Sequence, residues 1–300
     1  MARVKRSRQA EEHKPVSKFL SLGGDVSKAR KSTITHFEQD ETRTEEGDGT
    51  FASPFTLPLA SVPNKSDCYH CIEPTCQCKF ISETLKNIYD ELAIKRQTEI
   101  CGARALCAKS LLPEFVSRMI RLMNISSEDT FYDFGCGNGS ILLQVAYLTG
   151  AKCVGIEISE HNAKVAREAC TKFNDMMEKD GVKPPSIEII AADLTKIISQ
   201  EDFFSKTGGK TVILMSNLLF PNSLTQYISE RMRAAAPGTR ILCFNDLYPH
   251  SRSVAKARDP EAFELFSMKD YEWQELSVEW CPMKGSFLYS HEKKYDKPES

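Results

Sequence analysis

The chain predicts an α/β fold: a doubly wound, mostly parallel sheet finished by antiparallel C-terminal strands, with a small helical region ahead of it. From about residue 126, strand-length apolar runs alternate with helix-length amphipathic segments, the pattern of a parallel sheet covered on both faces. The alternation stops near residue 263, where two strand-like stretches follow with no helix between them. The first core strand runs straight into "DFGCGNGS", with glycines at alternate positions where a helix should open, so something must approach the main chain closely there.

The elements follow in order. "ISETLKNIYDELA" places Ile81, Leu85, Ile88 and Leu92 at helical spacing. Residues 111–123 read as a second helix, with Pro113 tolerated in its first turn. A strand over Thr130–Phe134 leads into the glycines. "ILLQVAYLTG" then reads as a helix apolar on nearly every side and closed by Gly150. After the strand "KCVGIEI", Ser159 can cap a helix with an inner stripe of Ala166, Cys170, Phe173 and Met177, ended by Gly181. Further strands are expected at 187–193, 211–217 and 239–245, the last two separated by an Asn222-led helix carrying Leu224, Ile228 and Met232. "FELFSMKDYEW" and "SVEWCPMKGSFLYSH" read as the terminal antiparallel pair.

Composition bounds what surrounds this core. The 300 residues are 41% hydrophobic and 27% charged with a formal charge of −2, ordinary values that make no global case for nucleic acid. No apolar run reaches the roughly 18 residues of a membrane helix, so no membrane role is expected. Eleven cysteines, several inside expected core elements, fit a reduced compartment better than a disulfide framework. Residues 1–31 carry nine Lys/Arg against three acids, and residues 32–50 six acids against one Arg. Residues 1–66 therefore read as a disordered basic and acidic arm, either a solvated tail or a DNA-phosphate contact, with "KRSR" at 5–8 a weak nuclear-import signal. The expected divisions are that arm, a helical and cysteine-containing region at 67–125, the α/β domain at 126–292 and a tail at 293–300.

The loop after the first core strand carries the chemistry. Asp133, Gly135, Gly137 and Gly139 are spaced D-x-G-x-G-x-G, with an acid inside the turn. A pyrophosphate would be repelled by that carboxylate, whereas an ammonium group would be attracted. S-adenosylmethionine carries such a group and no phosphate. Glu157 ends the next strand, where a carboxylate can accept both ribose hydroxyls. Asp193 ends the third, placed for the adenine amino group, with Leu194 against the ring. Any one strand-end acid is more commonly a cap. Three at successive strand ends, with the glycines, predict a class I S-adenosylmethionine-dependent methyltransferase fold.

The fourth strand ends in "SNLLFP". Methyl transfer to nitrogen needs a lone pair held in line with the sulfonium carbon, and an aromatic ring nearby favours the cationic sulfur. Asn217 and Phe220 supply an amide acceptor and a ring at N-x-x-F spacing, which makes Asn217 the candidate catalytic residue and a cofactor contact.

From about Leu111 to His291 the chain resembles the disruptor-of-telomeric-silencing family, histone lysine methyltransferases that lack a SET domain. "SLLPEF", "FYDFGCGNGS", "GIEI", "VILMSNLLF" and "SVEWCPMKGSFLYSH" carry the resemblance, in that order. The resemblance implies a lysine in the core of histone H3 on a nucleosome as substrate, hence a nuclear protein, and a channel walled by Phe220 and Phe287. It also implies that no residue acts as nucleophile and that the lysine enters neutral. Ala108-Lys109-Ser110 depart from the family's Tyr-Gly-Glu, and Ser216 from the first Asn of its pair. Its closing tyrosine pair is Phe287-Leu288 here, with Tyr289 one place along. Two other readings stay open: a nucleobase amino methyltransferase, which N-x-x-F also resembles, and a silent chromatin-binding module. Cys68, Cys71, Cys76 and Cys78 could supply four thiolates to zinc. Their C-x2-C…C-x-C spacing departs from standard zinc-site patterns, so structural thiols are the other reading.

Overall fold

A computed structural model describes residues 55–56, 77–92, 111–200, 203, 210–250, 254–272, 278 and 287–295. Two helices precede the sheet's central strand: α1 (Cys78–Leu92) and α2 (Pro113–Leu122). Then follow β2 (Thr130–Phe134), α3 (Ser140–Thr149), β3 (Lys152–Glu157), α4 (Glu160–Lys179), β4 (Ile187–Ala191) and α5 (Leu194–Ile198). The return half comprises β5 (Thr211–Met215), α6 (Asn222–Met232), β6 (Arg240–Cys243), α7 (Ala255–Arg258), α8 (Pro260–Leu265), β7 (Phe266–Glu272) and β8 (Phe287–Lys293). A two-residue strand, β1 (Phe55–Thr56), lies on the edge beside β7.

The eight strands are ordered β1-β7-β8-β6-β5-β2-β3-β4. From β4 to β6 every neighbour is parallel, while β8 runs antiparallel to both β6 and β7. This is the doubly wound, class I methyltransferase-type sheet with antiparallel C-terminal strands. The chain goes outward from β2 through β3 to β4, then returns to β5 on the other side of β2. The strand order therefore reverses at β2, and ligands of such sheets bind beyond the carboxyl ends at that reversal.

Alternating side chains divide the core between the two faces. Phe131, Val212, Leu214, Leu242 and Leu288 pack under α2 and α3, and Phe134, Ile156, Ile213, Met215 and Cys243 pack under α5 and α6. A third cluster seats α1, with Ile81, Leu85 and Ile88 against Leu143, Tyr147, Phe173 and Met177. Within the apolar helix α3, Gln144 is buried and donates to Pro113 O at 2.7 Å and Ser117 Oγ at 3.1 Å. That locks α2 to α3.

Several boundaries differ from those expected. The strand expected to begin at Phe263 begins at Phe266, because Asp259 caps a short helix by accepting the Ala262 N–H (3.1 Å) and Pro260 opens it. Strands β4, β5 and β6 stop two residues early: Asp193 becomes a helix cap, Asn217 enters a 3₁₀ turn and Asn245 a loop. Residues 108–110, Cys68, Cys71 and Cys76 lie outside the described residues, and of Cys78 only the backbone is described, at the start of α1. Among the described residues no group of three His, Cys, Asp or Glu could hold a metal ion, and no helix is long and apolar enough to cross a membrane.

Candidate active site

The loop after β2 is built around an unpaired acid. Asp133 is 1% exposed, and among the described residues neither of its oxygens has a hydrogen-bond partner. Burial, with the Glu157 charge adding to it, pushes its carboxyl up to about 8. A buried polar group normally has its partner, so a carboxyl without one near the end of β2 could take a ligand's cationic group.

Glu157 is prepared differently. Its Oε2 accepts the Gly137 N–H and its Oε1 the Ser159 N–H, both at 2.8 Å. An ionised carboxylate has about four acceptor positions, so both oxygens stay able to take a ribose hydroxyl while the backbone fixes their direction. Gly135 holds a left-handed conformation (φ +86°), and a Cβ there would lie 3.2 Å from the Phe220 ring. Phe220 thus lies against the glycine loop, joining the ends of β2 and β5. Gly139 has another reason to be glycine: a Cβ there would meet Ala166 of α4 at 3.0 Å. Its missing side chain is needed first for helix packing.

Asp193 reaches the site's edge through Ala192, whose N–H donates to Glu157 O at 3.0 Å. Its Oδ1 caps α5 by accepting Thr195 N and Oγ1, and those bonds hold its carboxyl below the ordinary value. Leu194 is buried and packs with Phe134 and Ile156. Ile158 was not expected: it directly follows Glu157 and is 57% exposed. An apolar residue directly after a strand-end acid is the signal that could have found it.

Asn217 requires a correction. Its side chain is fully buried, and its Oδ1 accepts the Phe244 and Asn245 N–H groups at 2.9 and 2.8 Å. Its Nδ2 donates to Asn245 O at 3.0 Å, and Asn245 Nδ2 returns a bond to Asn217 O at 2.9 Å. Both lone pairs of Oδ1 are therefore committed, and the carboxamide cannot also receive a substrate amine. It braces the end of β5 to the end of β6. Ser216, half-buried beside it, makes no side-chain hydrogen bond among the described residues. Phe287 opens β8 opposite Glu272, and only its backbone is described.

A second group of acids and imidazoles went unread in the sequence. His250 lies 3.2 Å from Asp246 and 3.0 Å from Asp270, and His291 lies 3.2 Å from Asp246. Burial alone would lower the His250 pKa, but the two carboxylates outweigh it and hold it up at about 10. Burial would raise Asp246, and the two imidazoles hold it well below the usual carboxylate range. The quartet joins the loop after β6 to β7 and β8.

The residues at the switch point fit S-adenosylmethionine: a bare buried carboxylate for its ammonium, a braced carboxylate for its ribose, and a ring beside the glycines for its sulfonium. The family profile described as "Histone methylation protein DOT1" matches residues 109–291. Three similar relatives are each named "Histone-lysine N-methyltransferase, H3 lysine-79 specific". The Emericella nidulans protein is 23% identical over 59% of this chain and 35% of its own length. The Dictyostelium discoideum protein is 26% identical over 59% and 10%, and the Drosophila melanogaster protein 27% over 59% and 9%. The chain thus spans about a third or less of these relatives' length. A solved putative RNA methyltransferase from Pyrococcus horikoshii overlays 75% of this chain and all of its own at a TM-score of 0.45 and 11% identity. The profile match covers more than half of the chain and spans the whole site from the glycine loop to β8, and on that match the chain belongs to the histone methylation protein DOT1 family.

Proposed function

We propose that this protein transfers a methyl group from S-adenosylmethionine to a lysine of histone H3 presented on a nucleosome, in the nucleus. The bare carboxylate of Asp133 carries the cofactor half of that reading, and family membership carries the substrate half. The H3 lysine-79 position named for the relatives is the first to test. The basic stretch at residues 1–31 supplies a contact to DNA phosphate.

When bound, the cofactor supplies a methyl group on a positively charged sulfur. Asp133 pairs with its ammonium, Glu157 takes the ribose hydroxyls, and the second oxygen of Asp193 takes the adenine amino group. Leu194 would lie against the adenine ring, and the exposed Ile158 would add apolar cover beside it. Phe220 presents its ring to the cationic centre, and with Phe287 it walls the lysine channel. Leu218, two residues before Phe220, is 40% exposed and adds apolar surface there. Burial against these apolar groups favours the neutral amine over the ammonium ion. What the cofactor would supply there is the methyl group that this neutral amine accepts. Asn217 contributes indirectly, keeping the ends of β5 and β6 together so that Ser216 and Phe220 face the donor.

Labelled cofactor incubated with nucleosomes, free histones and free DNA tests the reading. Label on histone H3 is expected, greatest on nucleosomes. Label on DNA would replace this reading with the nucleobase one, and no label anywhere would leave a silent binding module.

A further inference from the structure

The glycine loop is held from outside the sheet as well as within it. Helix α1 lies across α3 and α4, seated by Ile81, Leu85 and Ile88. From its last turn, Tyr89 donates its hydroxyl to Asn138 O at 2.7 Å, a contact between residues 49 apart in sequence. Asn138 stands between Gly137, whose N–H fixes Glu157, and Gly139, which opens α3. Its own side chain is 8% exposed and accepts the Ser140 N–H at 3.3 Å. A turn flanked by two left-handed glycines has more conformational freedom than any other backbone. A tether on its central carbonyl removes some of that freedom before a ligand arrives, and pre-ordering of this kind raises affinity.

We propose that Tyr89 is a positioning residue for the cofactor: its hydroxyl sets the Gly137–Gly139 turn, and through the Gly137 amide it sets the direction of the Glu157 carboxylate. The seating of α1 therefore governs cofactor affinity through the Tyr89 hydroxyl. This rests on the reading that the loop binds S-adenosylmethionine.

The test is calorimetric titration of S-adenosylhomocysteine into the full chain, for wild type, Tyr89→Phe and Glu91→Ala. Tyr89→Phe keeps the ring and its packing and removes only the hydroxyl. Glu91→Ala removes an exposed ion pair to Lys172 (2.9 Å) on the same helix and reports any general loosening of α1. Loss of one such hydrogen bond predicts a dissociation constant raised about fivefold in Tyr89→Phe, with KM for the histone substrate unchanged. Glu91→Ala should bind as wild type does. An unchanged constant in Tyr89→Phe would overturn the proposal, as would an equal rise in Glu91→Ala. Failure of the wild type to bind would instead remove the cofactor reading beneath it.

Discussion

Replacing Asp133 by Asn should make the empty protein more stable and the enzyme worse. Asp133 is fully buried, has no partner among the described residues, and titrates at about 8 rather than 3.8. A folded-state value above the unfolded one means that the folded protein binds the proton more tightly between those pH values. Stability therefore falls as pH rises from about 4 to 8 and levels off above that. A shift of about four units corresponds to on the order of 5 kcal/mol, an upper figure because the site can relax and admit water. Asn does not titrate, so Asp133→Asn should come close to wild type near pH 4 and gain about 5–15 °C in melting temperature at pH 8.5. Cofactor binding should move the opposite way. The ammonium of S-adenosylhomocysteine favours the ionised carboxylate, so wild type should release up to about one proton on binding at pH 7. The variant should release none and bind at least tenfold more weakly. Thermal melts at the two pH values, with calorimetry in buffers of different ionisation enthalpy, read all three effects. A variant that binds as wild type does and shows no extra stability at pH 8.5 would refute the ammonium assignment.

Two further outcomes follow from the brace and the quartet. Asn217→Ala strips partners from two backbone N–H groups at the end of β6, so it should cost about 2–5 kcal/mol of stability. Its melting temperature should fall along with its activity; lost activity at an unchanged melting temperature would restore a direct chemical role for the amide. His250, held up at about 10 by Asp246 and Asp270, contributes stability that is complete below about 6.5 and lost as pH rises through about 10. Tyr289, pushed up to about 12 by burial and then by the same carboxylates, stays neutral across that window. Alkaline unfolding of wild type should therefore show a step near pH 10 that His250→Gln lacks, and a step of the same size in the variant would exclude His250 as its source.

What could be read in the sequence was what is local. The strand at Thr130–Phe134, the Gly150 cap, the Ser159 cap and the Asn222-led helix depend on residues within one turn or one strand, and the structure has them where the pattern placed them. The glycine loop was legible for the same reason. Asn217 was not, because its partners Phe244 and Asn245 lie 27 and 28 residues away, just beyond the end of β6. Spacing alone made it look like a group facing the substrate. The His250 and His291 quartet draws on three elements brought together only by the sheet, and the Tyr89 tether spans 49 residues. Gly139 shows the limit within a motif: one glycine row makes room for the Phe220 ring at Gly135 and for Ala166 of α4 at Gly139, and both look alike in the sequence.

The most direct measurement is mass spectrometric mapping of methyl groups on nucleosomes incubated with S-adenosylmethionine and either wild type or Asp133→Asn. The account predicts methylation of a lysine in the core of histone H3 by wild type and little or none by the variant. Methyl groups found only on DNA, or equal methylation by both proteins, would contradict it.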